Sequence, residues 1–116
     1  MLWHVILLVF WQILFVTDSV RAAIIINEIS PSTDPEWIEL YNDSSTPVDL
    51  FGYTLWDNNS LLSDDLSLTG TISAQSYLVF SRKEGWLTNG GDIVYLSTNV
   101  ADRQNTVIDG LSQKNS

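Results

Sequence analysis

From Ala23 onward the chain alternates between short apolar runs and clusters of turn residues. AIIINEIS (23–30) stops at Ser30-Pro31-Ser32, EWIELYN (36–42) at Asn42-Asp43-Ser44, and LFGYTLWD (50–57) at Asn58-Asn59-Ser60. LSLTGTI (66–72), SYLVFSR (76–82), DIVYLST (92–98) and NTVIDGL (105–111) follow, with a Gly85 loop and Asn89-Gly90-Gly91 between them. These runs are rich in Ile, Val, Tyr, Trp and Thr, which suit a pleated and half-buried surface. None carries an apolar stripe at helical spacing. The pattern predicts about seven strands in an all-β, antiparallel two-sheet sandwich, with a small barrel as the competing architecture.

Side chains alternate across a strand, so each run also predicts which way its residues face. In EWIELYN, Ile38 and Leu40 share one face, and Trp37, Glu39 and Tyr41 share the other. Ile24, Ile25 and Ile26 are consecutive, which implies cover on both sides of the first strand. Trp86-Leu87 is expected to plug one end of the core, and Gly90-Gly91-Asp92 to form a tight turn and not a phosphate cradle, because no helix or Gly-Lys-Ser/Thr follows. NNSLLSDDLS (58–67) reads as an exposed polar loop.

The first 22 residues follow a different pattern. An apolar run from Val5 to Val16, broken only by Gln12, leads to a short polar stretch and then Val20-Arg21-Ala22-Ala23. That order is the order of a secretory signal peptide, with cleavage expected after Ala22, although no Lys or Arg precedes the apolar run. A spanning helix wants roughly 20 apolar residues, and this run is shorter. The expected organisation is therefore a signal peptide at 1–22, one β-sandwich domain at 23–111 and a tail at 112–116. The expected location is outside the cell or on its surface, with no stable membrane insertion once the peptide is removed.

Composition narrows the chemistry. The chain has 116 residues and a formal charge of −9, with five Lys and Arg in all, so no basic patch exists to neutralise phosphates and nucleic acid is not an expected partner. There is no cysteine, and the single histidine, His4, lies in the leader. Disulfides, thiolate metal sites, His-ligated zinc and Ser-His-Asp or Cys-His catalysis are thereby removed. The acidic surface suits solubility, cations or a basic partner.

Taken in order, Ile25-Ile26-Asn27-Glu28-Ile29, Glu36-Trp37-Ile38-Glu39-Leu40-Tyr41-Asn42 and Val48-Asp49-Leu50-Phe51-Gly52-Tyr53-Thr54-Leu55 form a recognisable series. It continues through Gly70-Thr71-Ile72, Tyr77-Leu78-Val79-Phe80, Trp86-Leu87 and Gly91-Asp92-Ile93-Val94-Tyr95-Leu96. In order and spacing this series resembles the lamin tail domain family, over essentially all of 23–111. The resemblance implies an immunoglobulin-like sandwich that serves as a scaffold and interaction module. It brings no catalytic residues to carry over.

The remaining candidates are side-chain constellations. Paired carboxylates beside aromatic rings are the equipment of a glycosidase. Glu36 and Glu39, however, differ by three positions and point to opposite faces of a strand, which leaves them strand-end and solvent-face residues. A pair drawn from two strands, Glu39 with Asp57, keeps a carboxylate hydrolase as an alternative. Asp57, Asn58, Asn59, Ser63, Asp64 and Asp65 offer oxygen ligands, so Asp57, Asp64 and Asp65 are the candidate calcium ligands and a calcium-dependent adhesion module is the second alternative. Their spacing does not match a twelve-residue calcium loop, and no cofactor is otherwise expected. Asn42-Asp43-Ser44 and Asn58-Asn59-Ser60 are glycosylation acceptors, Asn58 the better placed because Asn42 ends a strand. Trp37 and Tyr41 are candidate contact residues. So is Trp56, which shares the side of Gly52 and Thr54 while Tyr53 and Leu55 take the other. The reading these features favour is a secreted, non-catalytic module that contacts a protein or cell-surface partner.

Overall fold

The structure, a computed structural model, describes residues 23–33, 35–58, 64–82, 86–87 and 93–112. The predicted signal peptide, the Gly90-Gly91-Asp92 turn and residues 113–116 lie outside them. Among the described residues nine strands follow one another: β1 (Ile24–Ser30), β2 (Glu36–Asn42), β3 (Val48–Asp49), β4 (Thr54–Asp57), β5 (Leu66–Ser67), β6 (Thr71–Ile72), β7 (Tyr77–Arg82), β8 (Ile93–Ser97) and β9 (Val107–Ser112). A 3₁₀ turn, Val100–Asp102, precedes β9. All pairings are antiparallel, in a three-stranded sheet β1-β2-β7, a two-stranded ribbon β3-β6 and a four-stranded sheet β5-β4-β8-β9. This is an all-β, immunoglobulin-like sandwich.

The strand count exceeds the seven runs for local reasons. LSLTGTI is cut at Gly70, whose φ of +98° is a conformation that side-chain-bearing residues rarely adopt, so Leu66–Ser67 pairs with β4 while Thr71–Ile72 pairs with β3. LFGYTLWD is shortened to Thr54–Asp57 by a turn through Gly52, φ +89°, closed by the Tyr53 N–H on the Leu50 carbonyl at 2.9 Å, and a separate short strand, Val48–Asp49, precedes that turn. The Asp49 side chain accepts the Phe51 N–H at 2.9 Å and fixes the turn's entry. Val48–Asp49 is too short to announce itself by alternation.

The core is built from Ile24, Ile26, Ile38, Leu40, Leu50, Leu55, Leu68, Ile72, Leu87, Val94 and Leu96, drawn from both main sheets, the ribbon and the segments between them. Each such side chain contributes on the order of 1.5–3 kcal/mol by leaving water. Ile38 and Leu40 face inward as their parity required. In β1 the three consecutive isoleucines divide: Ile24 and Ile26 enter the core, and Ile25 is half-buried opposite Tyr41. A bulge between Ile26 and Glu28 then shifts the register by one residue. That shift lets Ile29, at odd spacing from Ile26, pack against the core as well. Leu87 and Trp86 do close part of the core, Leu87 buried and Trp86 packed against it.

Two predicted facings change. Glu36 is not a solvent-facing strand end: it shares the inward face with Ile38 and is 1% exposed. Its Oε2 accepts the Leu87 backbone N–H at 2.6 Å, so the carboxylate satisfies a buried donor of the 86–87 segment. Trp56 is likewise not at the surface, being 9% exposed. β4 runs between β5 and β8, and the side on which Trp56 lies is roofed by the loop after β8.

Candidate contact surface

The outward face of the three-stranded sheet can be read from its register. Across β1, β2 and β7 the rows are Ile25–Tyr41–Tyr77, Glu28–Glu39–Val79 and Ser30–Trp37–Ser81. Trp37 and Tyr41 are half-buried there, and Tyr77 and Val79 are 57% and 51% exposed. The Tyr41 and Tyr77 rings meet with centroids 4.6 Å apart, tilted by 33°. Hydrogen bonding explains the closeness. The Asn42 N–H donates to the Ser76 carbonyl, which makes 42/76 a hydrogen-bonded pair, and alternation makes 41/77 a non-hydrogen-bonded one, where side chains stand closer. The face is aromatic and acidic: its charged members are Glu28 and Glu39, and Glu39 Oε1 accepts from Asn27 Nδ2 at 2.7 Å. The bulge at Asn27 brings that amide over.

Trp37 and Tyr41 therefore stand together on one open face, and Trp56 belongs elsewhere. Its ring lies 4.6 Å from that of Tyr95, its register partner. The Arg103 guanidinium lies over the Trp56 ring, 4.4 Å from its centroid, and pairs with Asp65 at 2.5 Å. Trp56 Nε1 donates to Ser97 Oγ at 2.8 Å, and Ser97 Oγ donates to the Arg103 carbonyl at 2.6 Å. The cluster ties the 99–106 loop to the four-stranded sheet. It is an internal fastening, and Trp56 is corrected from contact residue to part of that fastening.

The three candidate calcium ligands are dispersed in role. Asp57 is buried at the end of β4, and Asp65 faces the Arg103 cation. Asp64 is exposed, and its backbone carbonyl accepts from Arg82 Nη1 at 2.9 Å and Trp86 Nε1 at 3.2 Å. Among the described residues no three acids or histidines gather around a common point; Asn59 and Ser63 lie outside them. Glu39 and Asp57, the cross-strand carboxylate pair, stand in different sheets.

The two glycosylation acceptors differ sharply. Asn42 is fully buried, its Nδ2 donating to the carbonyls of Thr46, Ile72 and Ser73 and its Oδ1 accepting from Ser44 N–H and Oγ. One side chain thus joins the end of β2 to the following turn and to β6. Asn58 is exposed, with Oδ1 taking the Ile93 N–H at 3.1 Å. Asn59 and Ser60, which complete its motif, lie outside the described residues.

A model of the family described as Lamin Tail Domain matches residues 17–115. The chain belongs to the lamin tail domain family. Comparison with curated proteins returns no match. Lamin tail domains are immunoglobulin-like and non-enzymatic as a family. Among the described residues of this lamin tail domain no helix is long and apolar enough to cross a membrane.

Some of these positions carry little signal in the sequence. Tyr77 and Val79 complete the open face, and their signal was present in SYLVFSR, where Tyr, Val and Ser alternate with Leu and Phe. Arg103 and Asp109 carried no local signal, because their partners lie 38 and 83 residues away.

Proposed function

We propose that this lamin tail domain is a secreted, non-catalytic module that binds a protein or cell-surface partner through the outward face of the β1-β2-β7 sheet. The observation that carries the reading is the shared placement of Trp37, Tyr41, Tyr77 and Val79 on that face, with two of the four more than half exposed. Exposed aromatic side chains set among polar neighbours are what contact surfaces use, since they offer large rigid area at small entropic cost. Export is supported by the apolar run 5–16 and the small residues at Ala22 and Ala23.

The test is to express the full chain with its own leader in a secreting host, read the mature N-terminus by mass spectrometry, and measure binding of the released domain to cell surfaces of the source organism. Release with Ala23 at the terminus is expected, with binding that a Trp37→Ser/Tyr41→Ser variant loses. Retention inside the cell, or binding indifferent to both substitutions, overturns the reading.

A further inference from the structure

We propose that the outer edge of β7 accepts an extended, basic segment of the partner as an added strand. The proposal rests on the reading of this sheet as the contact surface and specifies how, and with what chemistry, the partner is held.

The backbone supplies the first argument. Because 42/76 is a hydrogen-bonded pair, the bonds between β2 and β7 recur at 40/78, 38/80 and 36/82. The N–H and C=O groups of Tyr77, Val79 and Ser81 consequently point away from β2. Among the described residues no strand lies beyond them, since β7 ends the sheet order. The opposite edge is treated differently: the outward N–H of Ile26 in β1 is taken by Asp109 Oδ2 of β9 at 2.7 Å. Among the described residues, one edge of the sheet is tied to β9 through Ile26 and the other has no strand beside it.

Edge strands are normally guarded by Lys, Pro or a bulge. β7 has none of these in its open positions, and two of the three are exposed hydrophobic side chains, Tyr77 and Val79. An added strand would find three residues' worth of backbone partners, the arrangement used in β-strand addition.

Charge complementarity chooses the occupant. A strand laid beside β7 presents alternate side chains to the two faces. Those on the outward face lie beside Tyr77 and Val79 and about 10 Å, two strand spacings, from Glu39, within reach of a Lys or Arg head group. A cation there meets the Tyr77 ring and the Glu39 carboxylate together. Those on the inward face lie beside half-buried Leu78 and Phe80, where apolar side chains continue the sheet's covered side. The fitting segment alternates basic and apolar residues. A second copy of the chain fits less well, because each copy brings a charge of −9 to the contact.

The probe is an acetylated, amidated heptapeptide alternating Arg and Val, titrated by calorimetry into the chain recovered from a secreting host. Binding is expected, and Val79→Pro should weaken it roughly tenfold or more by removing an edge N–H. The β2 ladder does not use that N–H, and proline is tolerated on edge strands, so the variant is expected to fold. A second arm needs no variant: the same peptide N-methylated at the positions facing β7 should also lose binding. Glu39→Gln should weaken binding several-fold while leaving the melt in place. Equal binding by Val79→Pro and by the methylated peptide overturns the proposal, since the attraction would then be charge alone. So does a dimer in sedimentation that Val79→Pro dissolves, or binding of neutral glycan in place of peptide. Loss of peptide binding with cell-surface binding intact defeats only this inference, whereas loss of both defeats the contact-surface reading itself.

Discussion

Asp109 in β9 accepts the backbone N–H of Ile26 in β1 at 2.7 Å, across 83 residues of sequence, and so joins the edge of the three-stranded sheet to the four-stranded one. A carboxylate serves this purpose better than a neutral group, because charge-assisted bonds are shorter and stronger. Asp109→Ala should destabilise the domain by about 1–3 kcal/mol, the cost of leaving the Ile26 N–H unmade. Asp109→Asn, which keeps an acceptor oxygen, should cost less. Urea denaturation of the two variants checks the order.

Glu36 is the second carboxylate with an architectural task. Glu36→Ala would leave the Leu87 N–H without its acceptor and open a cavity beside Ile38 and Leu87, for a loss of about 3 kcal/mol. Glu36→Gln retains an acceptor and should lie between Ala and the parent. Equal melts for the parent and Glu36→Ala would show that the 86–87 segment is held by other means.

Arg103 serves Trp56 and Asp65 at once, and both it and Asp65 are largely buried, with side chains 12% and 3% exposed. Removing one partner of a buried pair is costlier than the pair is worth, so Arg103→Ala should lose about 3–5 kcal/mol. Arg103→Lys keeps the charge but not the flat guanidinium over the indole, and should recover only part of that loss. Thermal melts, with near-ultraviolet circular dichroism to follow the tryptophans, distinguish the three proteins.

Asn42 donates to three carbonyls from one amide nitrogen. Asn42→Asp replaces that donor with an oxygen facing three other oxygens, and should cost at least about 3 kcal/mol. The same burial argues that in a glycosylating host the folded chain carries sugar at Asn58 and not at Asn42. Mass spectrometry of the released protein reads the occupancy of each.

Much of this architecture was legible because strand parity is a local property. EWIELYN displayed its inward pair, Ile38 and Leu40, and its outward pair, Trp37 and Tyr41, within seven residues. Parity failed where burial was decided by something distant. Glu36 stood on the correct face for burial, yet its charge argued for solvent, and the Leu87 N–H that it accepts lies some fifty positions on. Trp56 was placed by the alternation of LFGYTLWD, which assumed a strand covered on one side. The loop carrying Arg103 covers the other side, and no pattern near Trp56 announces it. Glycines at 52 and 70 broke two runs that hydrophobicity alone would have continued.

Under the proposed function β2 divides its work, one face holding the core and the other meeting a partner. The decisive comparison is Ile38→Asp against Trp37→Ser/Tyr41→Ser in one set of thermal melts and surface-binding assays. Ile38 is fully buried, and an unpaired charge there costs several kcal/mol against a total stability of roughly 5–15 kcal/mol, so that variant should not fold. The double variant should melt within a few degrees of the parent and bind no surface. A folded Ile38→Asp protein, or a double variant that unfolds or binds as the parent does, would contradict the account.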